Sequence, residues 1–533
     1  MTHRTAPHLA SGEFKGGHHK TCAMHTDDTA MFTLEEILKA TGGRIMTGEV
    51  ETVFSGITTD SRVVKDGDLF IALKGEKFDG HDFIEDVISK GARGVIAEGE
   101  FTVHPGLAPL HRILRRSGAG SSQFTVIMVQ DTLRALQDIA HSVRMRYDMP
   151  VIGVTGSNGK STTKEMIASI LSRKWNTLKS EGNINNHIGV PLTLLKLIPG
   201  HEAVVTEMAM RAEGEIRRLA EIAVPTIGVI TNIGPAHLET LGGLDNIARA
   251  KAELLEVLNE EGTVVLNNDD PYLNRLDLSK FKGWVVSFGF GDDADVSAIK
   301  VRYEGLSSVF SIVVRTNIFD YLLPSVMIPS TAPVIGKKRE IKIEGIHLTV
   351  PGRHNIYNAL AAASVAISLG FDEETIKEGL ERFRPLQMRS EVMDIGGRRV
   401  INDTYNSNPE SLEAALHVLI SIGNRGRTIA VLGDMLELGD YKEKAHREVG
   451  SKIVKMGIDK FVAVGDLMRY AADVALKEGM DRERIHICKD AEDAKVALRD
   501  ISREGDTILI KGSRAMGMER ILAGIDSFRE GGL

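Results

Sequence analysis

Residues 151–164, VIGVTGSNGKSTTK, have the types and order needed to bind a nucleotide phosphate chain: an apolar strand, a glycine-rich turn, Lys160 and Ser161, then a helix. Such a turn points backbone N–H groups and a helix N-terminus at phosphate oxygens. Lys160 adds a positive charge near the β and γ phosphates, and Ser161 offers a hydroxyl ligand for Mg²⁺. The chemistry is that of an ATP or GTP site, with Thr155, Gly156, Ser157, Asn158, Gly159 and Thr162 completing the cradle. The strict phosphate-loop spacing asks for glycine at position 154, where Val154 stands, and Gly153 lies one residue too early. A ligand-free turn is the bland alternative, and the correct order of strand, turn, Lys-Ser and helix weighs against it.

Further along, Glu207 ends the apolar run AVVTE, and His237 follows TIGVITNI within NIGPAHLE. Both are expected at the carboxyl edge of a parallel sheet, where open α/β folds place their ligands. With Ser161 they could hold magnesium. Oxygen ligands suit that ion, and a histidine, unusual for so hard a cation, argues for a second metal position. Taken singly, an exposed glutamate and a loop histidine are commonplace. Lys251, inside IARAKAELLE, reads as part of the solvated face of its helix.

These residues require a scaffold, and the chain reads as α/β in three domains. Residues 1–30 are rich in Gly, His and Thr without apolar periodicity, and are expected to be a flexible tail; a disordered extension fits better than a zinc site, because the His and Cys22 spacing matches no zinc pattern. Residues 31–148 form a small α/β module with DLFIAL, GVIAE and TVIMV as strands and DFIEDVISKG and TLRALQDIAHSVRMRY as helices. A Pro-, Gly- and Ser-containing loop insertion interrupts it at 104–123. Residues 149–384 alternate strand and helix, which predicts a parallel sheet covered on both faces. A β-rich stretch at 284–351 follows, with a second insertion near 330–338 and then an Ala-rich helix from Asn355. Residues 385–533 alternate again (RRVINDTY, RTIAVLG, KFVAVG, DTILIKG) and predict a dinucleotide-fold, Rossmann-like domain.

Composition narrows the classes. The 533 residues carry a net charge of −8 with 42% hydrophobic residues, typical of a soluble protein with several cores. Mild acidity without a basic stripe gives no reason to expect nucleic acid or an anionic membrane as partner. The most apolar stretch, 359–369, is too short to cross a bilayer, no signal pattern opens the chain, and two cysteines cannot build a disulfide framework. A cytoplasmic monomer is expected.

Taken together, TGSNGKSTTKEM, EGNINNHIGVPLTLL, TEMAMRAEGEI, TNIGPAHLETLG, ARAK, PGRHNIYNALAAA, NDTYNSNPES, LGDMLELG and KGSRAMGME resemble the Mur ligases of bacterial cell-wall synthesis, ATP-dependent enzymes that form amide bonds. The resemblance runs from Met31 to nearly the C-terminus. NDTYNSNPES and GDMLELG are most similar to the branch that adds D-alanyl-D-alanine to UDP-N-acetylmuramoyl tripeptide, giving the peptidoglycan pentapeptide precursor. ITTDSRVVKDGDLFIALKGEKFDGHDF is similar to the UDP-binding module of that branch and of the diaminopimelate- or lysine-adding one.

The resemblance implies roles. Lys160 and the backbone around Gly156, Asn158 and Gly159 would hold ATP phosphates. Ser161 and Glu207 would hold one Mg²⁺, and His237 with a carbamylated Lys251 a second. Asn355 would contact adenine, Asp403 ribose, and Arg389 the γ phosphate. Asp60, Ser61, Arg62 and Lys74 match the UDP motif. Asn183 lies in the loop facing the muramoyl substrate, and Lys511, Ser513 and Arg514 match the motif near the incoming amine. Ala209 stands where the family pattern usually has glycine, a methyl group's difference. The implied reaction forms an acyl phosphate from the tripeptide carboxylate and ATP, which the amine of D-Ala-D-Ala then attacks. Competing readings are another Mur-type ligase, a folylpolyglutamate synthase, which the UDP-type module disfavours, and a P-loop ATPase switch, which gives no reason for that module.

Overall fold

The computed structural model describes residues 31–99, 124–315, 334–335, 338–423 and 426–525, the side chains at 334–335 and 338–339 excepted. The expected tail at 1–30, the insertion at 104–123 and part of that at 330–338 lie outside the described residues.

Three large sheets carry the architecture. The first has five strands in the order Arg44–Thr47, Thr125–Val129, Gly94–Glu98, Leu69–Ile71, Ile57–Thr58, parallel except for the first. Ahead of it, the helix Leu34–Thr41 begins with a reciprocal cap: the Thr33 hydroxyl accepts from Glu36 N at 3.2 Å and the Glu36 carboxylate accepts from Thr33 N at 3.0 Å. The helix Thr132–Arg144 buries Leu136, Ile139 and Val143 in an apolar cluster shared with Val190 and Leu194 of Gly189–Leu194 and with Ile216 and Leu219 of Glu215–Ala223. This shared core fastens the first sheet to the second by exclusion of water.

The second sheet has ten strands, in the order Val334–Ile335, Lys338–Leu348, Ser307–Arg315, Val296–Glu304, Trp284–Gly289, Thr263–Asn267, Ile227–Ile230, Val151–Thr155, Ala203–Glu207, Thr177–Lys179. From Val296–Glu304 onward the pairings are parallel, as the strand–helix alternation predicts; the remaining pairings are antiparallel. The β-rich stretch is therefore no separate layer, because Trp284–Gly289 pairs directly with Thr263–Asn267 and the antiparallel strands continue from it. The insertion read near 330–338 includes paired backbone, Val334–Ile335 against Arg339 and Lys338. Val151–Thr155, Ala203–Glu207 and Ile227–Ile230 are buried along their whole length, which is why they read as continuous apolar runs. The Ala-rich helix begins at Arg353, two residues before the expected Asn355, and ends at Ser368.

The third sheet runs Glu391–Ile395, Arg398–Asp403, Thr507–Lys511, Thr428–Gly433, Lys460–Val464, Ile485–Cys488. All its pairings are parallel except the first hairpin, which turns through Gly396 and Gly397 at φ 56° and 73°. Two positive φ angles in a two-residue turn need residues without a side chain. The strands Glu391–Ile395 and Ile485–Cys488 were not expected from the sequence. Pro409–Ile422 starts on an Asn408 cap, Asn408 Oδ1 accepting from Ser411 N at 2.9 Å with proline at the first helical turn.

Candidate active site

The phosphate loop is held from below by the residues that follow the neighbouring strand. Asn158 N donates to Asn232 Oδ1 at 2.9 Å, while the Asn158 carbonyl accepts from Asn232 Nδ2 at 3.0 Å and from the Thr231 hydroxyl at 2.5 Å. Gly156 and Gly159 have φ 144° and 80°, and a Cβ at either would run into Thr231 or Asn358. Glycine is demanded here by both backbone conformation and close approach. Lys160 folds over the turn, donating to Gly156 O at 2.8 Å and Ser157 O at 3.2 Å; burial lowers its pKa, offset by the Glu207 charge. Thr155 ends the strand, and its buried Oγ1 has no hydrogen-bond partner among the described residues.

Ser161 and Glu207 are brought together across adjacent elements. The Ser161 hydroxyl donates to Glu207 Oε2 at 2.6 Å, and Asn185 Nδ2 donates to Glu207 Oε1 at 2.8 Å. Glu207 is 1% exposed, so its charge is compensated almost wholly by these neighbours and by Lys160. A buried hydroxyl–carboxylate pair of hard oxygens beside a phosphate loop fits Mg²⁺, which keeps few protein ligands and completes its shell with phosphates and water. Among the described residues no group of three His, Cys, Asp or Glu side chains is arranged to hold a metal alone.

His237 sits at φ 59° before the short helix Leu238–Leu241, and its Nδ1 lies 2.8 Å from Glu437 Oε2 of the third domain. Glu437 is itself at φ 64°, and its hydrogen bond to His237 lowers its pKa. Lys251 is 2% exposed, not on the solvated face where a lysine would ordinarily lie. Ile247, Lys251 and Leu254 fall on one stripe of Leu244–Val257, so the helical spacing carried the signal that the charged residue type obscured. Desolvation, reinforced by Lys160, pushes the Lys251 ammonium well below the usual lysine range.

Third-domain side chains close the opposite wall. The Arg389 guanidinium lies 3.9 Å over the Tyr405 ring. Lys511, 2% exposed, donates to Asp403 Oδ2 at 2.6 Å and to Asn406 O at 2.8 Å, while Asp403 Oδ1 accepts from Ser390 N at 3.0 Å. Two third-domain residues touch the phosphate loop itself. Asn408 Nδ2 donates to Asn158 Oδ1 at 2.7 Å, and Asn158 Nδ2 donates to Glu410 Oε2 at 3.1 Å. Although Glu410 opens on the cavity, surrounding protein and the Asp270 charge push its carboxyl up to about 7.

The result is one cavity of about 1060 Å³ lined by both walls. Of the residues expected from sequence, it brings together Ser157, Asn158, Gly159, Lys160, Ser161, Thr162, Asn183, Glu207, His237, Asn355, Arg389, Asp403, Lys511, Ser513 and Arg514. Asn355 Nδ2 is already engaged with Pro351 O at 2.8 Å, and the Ser513 hydroxyl accepts from Leu436 N at 2.8 Å. Arg514 pairs with Glu519 at 3.2 Å. Asp60, Ser61, Arg62 and Lys74 do not line the cavity. They belong to loops of the first sheet, where Arg62 Nη2 meets Asp60 at 2.6 Å and holds its carboxyl down to about 2. Ser61 O accepts from Lys90 Nζ at 2.8 Å, and Lys74 bridges Asp79 in an isolated backbone pair. Sequence reasoning missed Asn185, Tyr405, Asn408 and Glu410. All lie inside motifs that were quoted, but no spacing rule marks the contacts of Asn408 and Glu410 between domains, or those that join Asn185 to Glu207 and Tyr405 to Arg389 across the chain.

Residues 53–144 match the Mur ligase family catalytic domain, 154–366 the Mur ligase middle domain, and 388–514 the Mur ligase glutamate ligase domain. The UDP-N-acetylmuramoyl-tripeptide--D-alanyl-D-alanine ligase of Bacillus subtilis (strain 168) is 34% identical over 492 residues, 92% of this chain and 97% of that one. Crystal structure I of MurF from Acinetobacter baumannii aligns with TM-score 0.78 at 29% identity, covering 94% of this chain and 100% of that chain. MurF from Thermotoga maritima in complex with ADP aligns with TM-score 0.69 at 26% identity, covering 88% and 97%. Domain matches in one order along the chain, with identity sustained over nearly its whole length, place this protein in the Mur ligase family of ATP-dependent ligases.

Proposed function

We propose that this enzyme joins D-alanyl-D-alanine to UDP-N-acetylmuramoyl tripeptide at the expense of ATP, giving the UDP-linked pentapeptide. The observation that carries the proposal is the shared cavity: Lys160, Ser161, Glu207 and His237 on one wall face Arg389, Asp403 and Lys511 on the other. Residues 31–148 are assigned to the UDP portion of the substrate, 149–384 to ATP and 385–533 to the wall that completes the site. One chain supplies every wall of the cavity, so a monomer suffices.

A carboxylate is a poor electrophile, and phosphorylation gives it a leaving group. The tripeptide carboxylate attacks the γ phosphorus of ATP, ADP departs, and the acyl phosphate forms. The D-Ala-D-Ala amine then adds to the acyl carbon, losing its proton, and phosphate leaves. Lys160 and Arg389 stabilise charge on the transferring phosphoryl group, and the loop N–H groups orient it. Asp403 is assigned to ribose and Asn355 to adenine. Asp60, Ser61, Arg62 and Lys74 take the UDP end, Asn183 the muramoyl side, and Lys511, Ser513 and Arg514 the amine side. Ser161 and Glu207 would hold one Mg²⁺, and His237 with a Lys251 carbamate a second; bound there, the ions would neutralise phosphate charge. The buried Lys251 amine, whose pKa desolvation lowers, is suited in its neutral form to adding CO₂, losing one proton and becoming an anionic oxygen ligand. Closure of the third domain over ATP would exclude water from the acyl phosphate.

Phosphate release from ATP and Mg²⁺, measured with and without each substrate alongside product mass, tests the proposal. Turnover that needs both substrates and yields the pentapeptide is expected. Turnover indifferent to both would replace the ligase with an ATPase switch. Scattering curves unchanged by an ATP analogue with UDP-tripeptide would remove the closure step.

A further inference from the structure

Arg211 lines the same cavity, and the proposed mechanism gives it no task. Its main chain is fixed on both sides. Arg211 N donates to Glu215 Oε2 at 2.6 Å, and Arg211 O accepts from the Thr240 hydroxyl at 2.6 Å. The same hydroxyl lies 3.1 Å from His237 O, so one side chain ties the Arg211 turn to the His237 turn. Glu253, 2% exposed, fixes the next segment by accepting from Gly214 N at 2.6 Å and Arg217 N at 3.1 Å.

The side chain has not been given a partner by this framework. Two carboxylates lie near it, and both are committed: Glu215 to the Arg211 main chain and Glu437 to His237 at 2.8 Å. Among the described residues the Arg211 guanidinium has no ion pair, although its charge reaches Glu437. A planar, permanently charged fork on a rigid turn is suited to bidentate recognition of a carboxylate. Its turn is tied through Thr240 to that of His237, and both residues line the cavity in which the proposed function brings ATP and the tripeptide carboxylate together.

From this geometry we infer that Arg211 is a binding residue for a carboxylate of the tripeptide arm of the substrate. The inference rests on the ligase assignment and deepens it. The carboxylate has two sources, the peptide main chain or the side chain of an acidic third residue such as diaminopimelate, and substrate choice separates them.

The experiment measures KM and kcat with UDP-tripeptide carrying diaminopimelate or lysine, for the unsubstituted enzyme, Arg211→Ala and Arg211→Lys. Arg211→Ala is expected to raise KM for the UDP-tripeptide about tenfold or more, the scale of one charged hydrogen-bonded contact. KM for ATP should stay within about twofold, which a misfolded variant would not give, and Arg211→Lys should recover part of the loss because it keeps the charge without the fork. An increase confined to the diaminopimelate substrate assigns the side-chain carboxylate; an equal increase with both assigns the main chain. Tripeptide KM values unchanged by Arg211→Ala, in an enzyme that ligates, overturn this inference alone. Absence of ligation with either tripeptide in the unsubstituted enzyme overturns the ligase assignment and the inference with it.

Discussion

The phosphate-loop wall and the Asp60–Arg62 loop are both rich in charge, but they satisfy it differently. In the wall, Ser161 and Glu207 are 1% exposed, with their polar atoms engaged at 2.6–2.8 Å by residues distant in sequence, and Lys511 on the facing wall is held in the same way. In the loop, Arg62 has a side chain 86% exposed and is paired with a carboxylate two residues away. A buried, cross-bridged charge is oriented before any ligand arrives, and disturbing it leaves its partners unpaired in a medium of low dielectric. An exposed local pair can exchange its partner for a ligand at small cost. Under the proposed function, the first arrangement suits work on a transition state and the second suits holding a substrate.

The largest break in that comparison is expected from Lys160→Ala, which should lower kcat for substrate-dependent phosphate release by about 10²–10³-fold, the scale of losing one preorganised charge in a protected site. A change confined to KM would contradict the role given to the wall. Next, Lys251→Ala should abolish most ligation, with partial recovery on adding a short carboxylic acid. Bicarbonate depletion should slow the unsubstituted enzyme, and indifference to both treatments would remove the carbamate.

Arg62→Ala sharpens the contrast from the other side. It should raise KM for the UDP-substrate about tenfold while kcat stays within about twofold, because the exposed loop contributes binding present equally in ground and transition states. The smallest effect concerns Glu410, where the two walls meet. Burial first, and Asp270 second, raise its pKa from 4.5 to about 7, with Glu413 adding to the rise and Lys452 and the Asn158 amide opposing it. The closed contact therefore takes up a proton between those values, so the share of its stability linked to Glu410 is fully present below about 4.5 and is lost as pH rises through about 7. Fluorescence energy transfer between labels on the second and third domains should weaken over that window, and Glu410→Gln should flatten the dependence. An unaltered slope in the variant would assign the titration elsewhere.

Legibility follows the same division. The strand, turn, Lys160–Ser161 and helix were readable because they follow one another directly and glycines mark the turn, although the bonds that hold the loop come from Thr231 and Asn232. Glu207 and His237 could be placed at one edge because parallel strands end together. The buried state of Lys251 was written in the helical stripe it shares with Ile247 and Leu254, yet residue type pointed to solvent. The continuation of the central sheet through residues 284–348 was hidden, since alternating strands do not announce which edge they will join.

By itself, then, the sequence determined most of the α/β elements, the phosphate loop, the family and the chemistry that family performs. These depend on local spacing, on backbone conformations open to glycine, and on motifs read in linear order. Only the tertiary structure decided that Asn408 and Glu410 meet Asn158, that Glu437 meets His237, that Asp60 and Arg62 stand outside the cavity, and that the Arg211 side chain is presented to it with no ion pair among the described residues. The physical reason is that desolvation and ion pairing depend on which surfaces are brought into contact, and residues two hundred or more positions apart have no fixed relation until the sheets have packed.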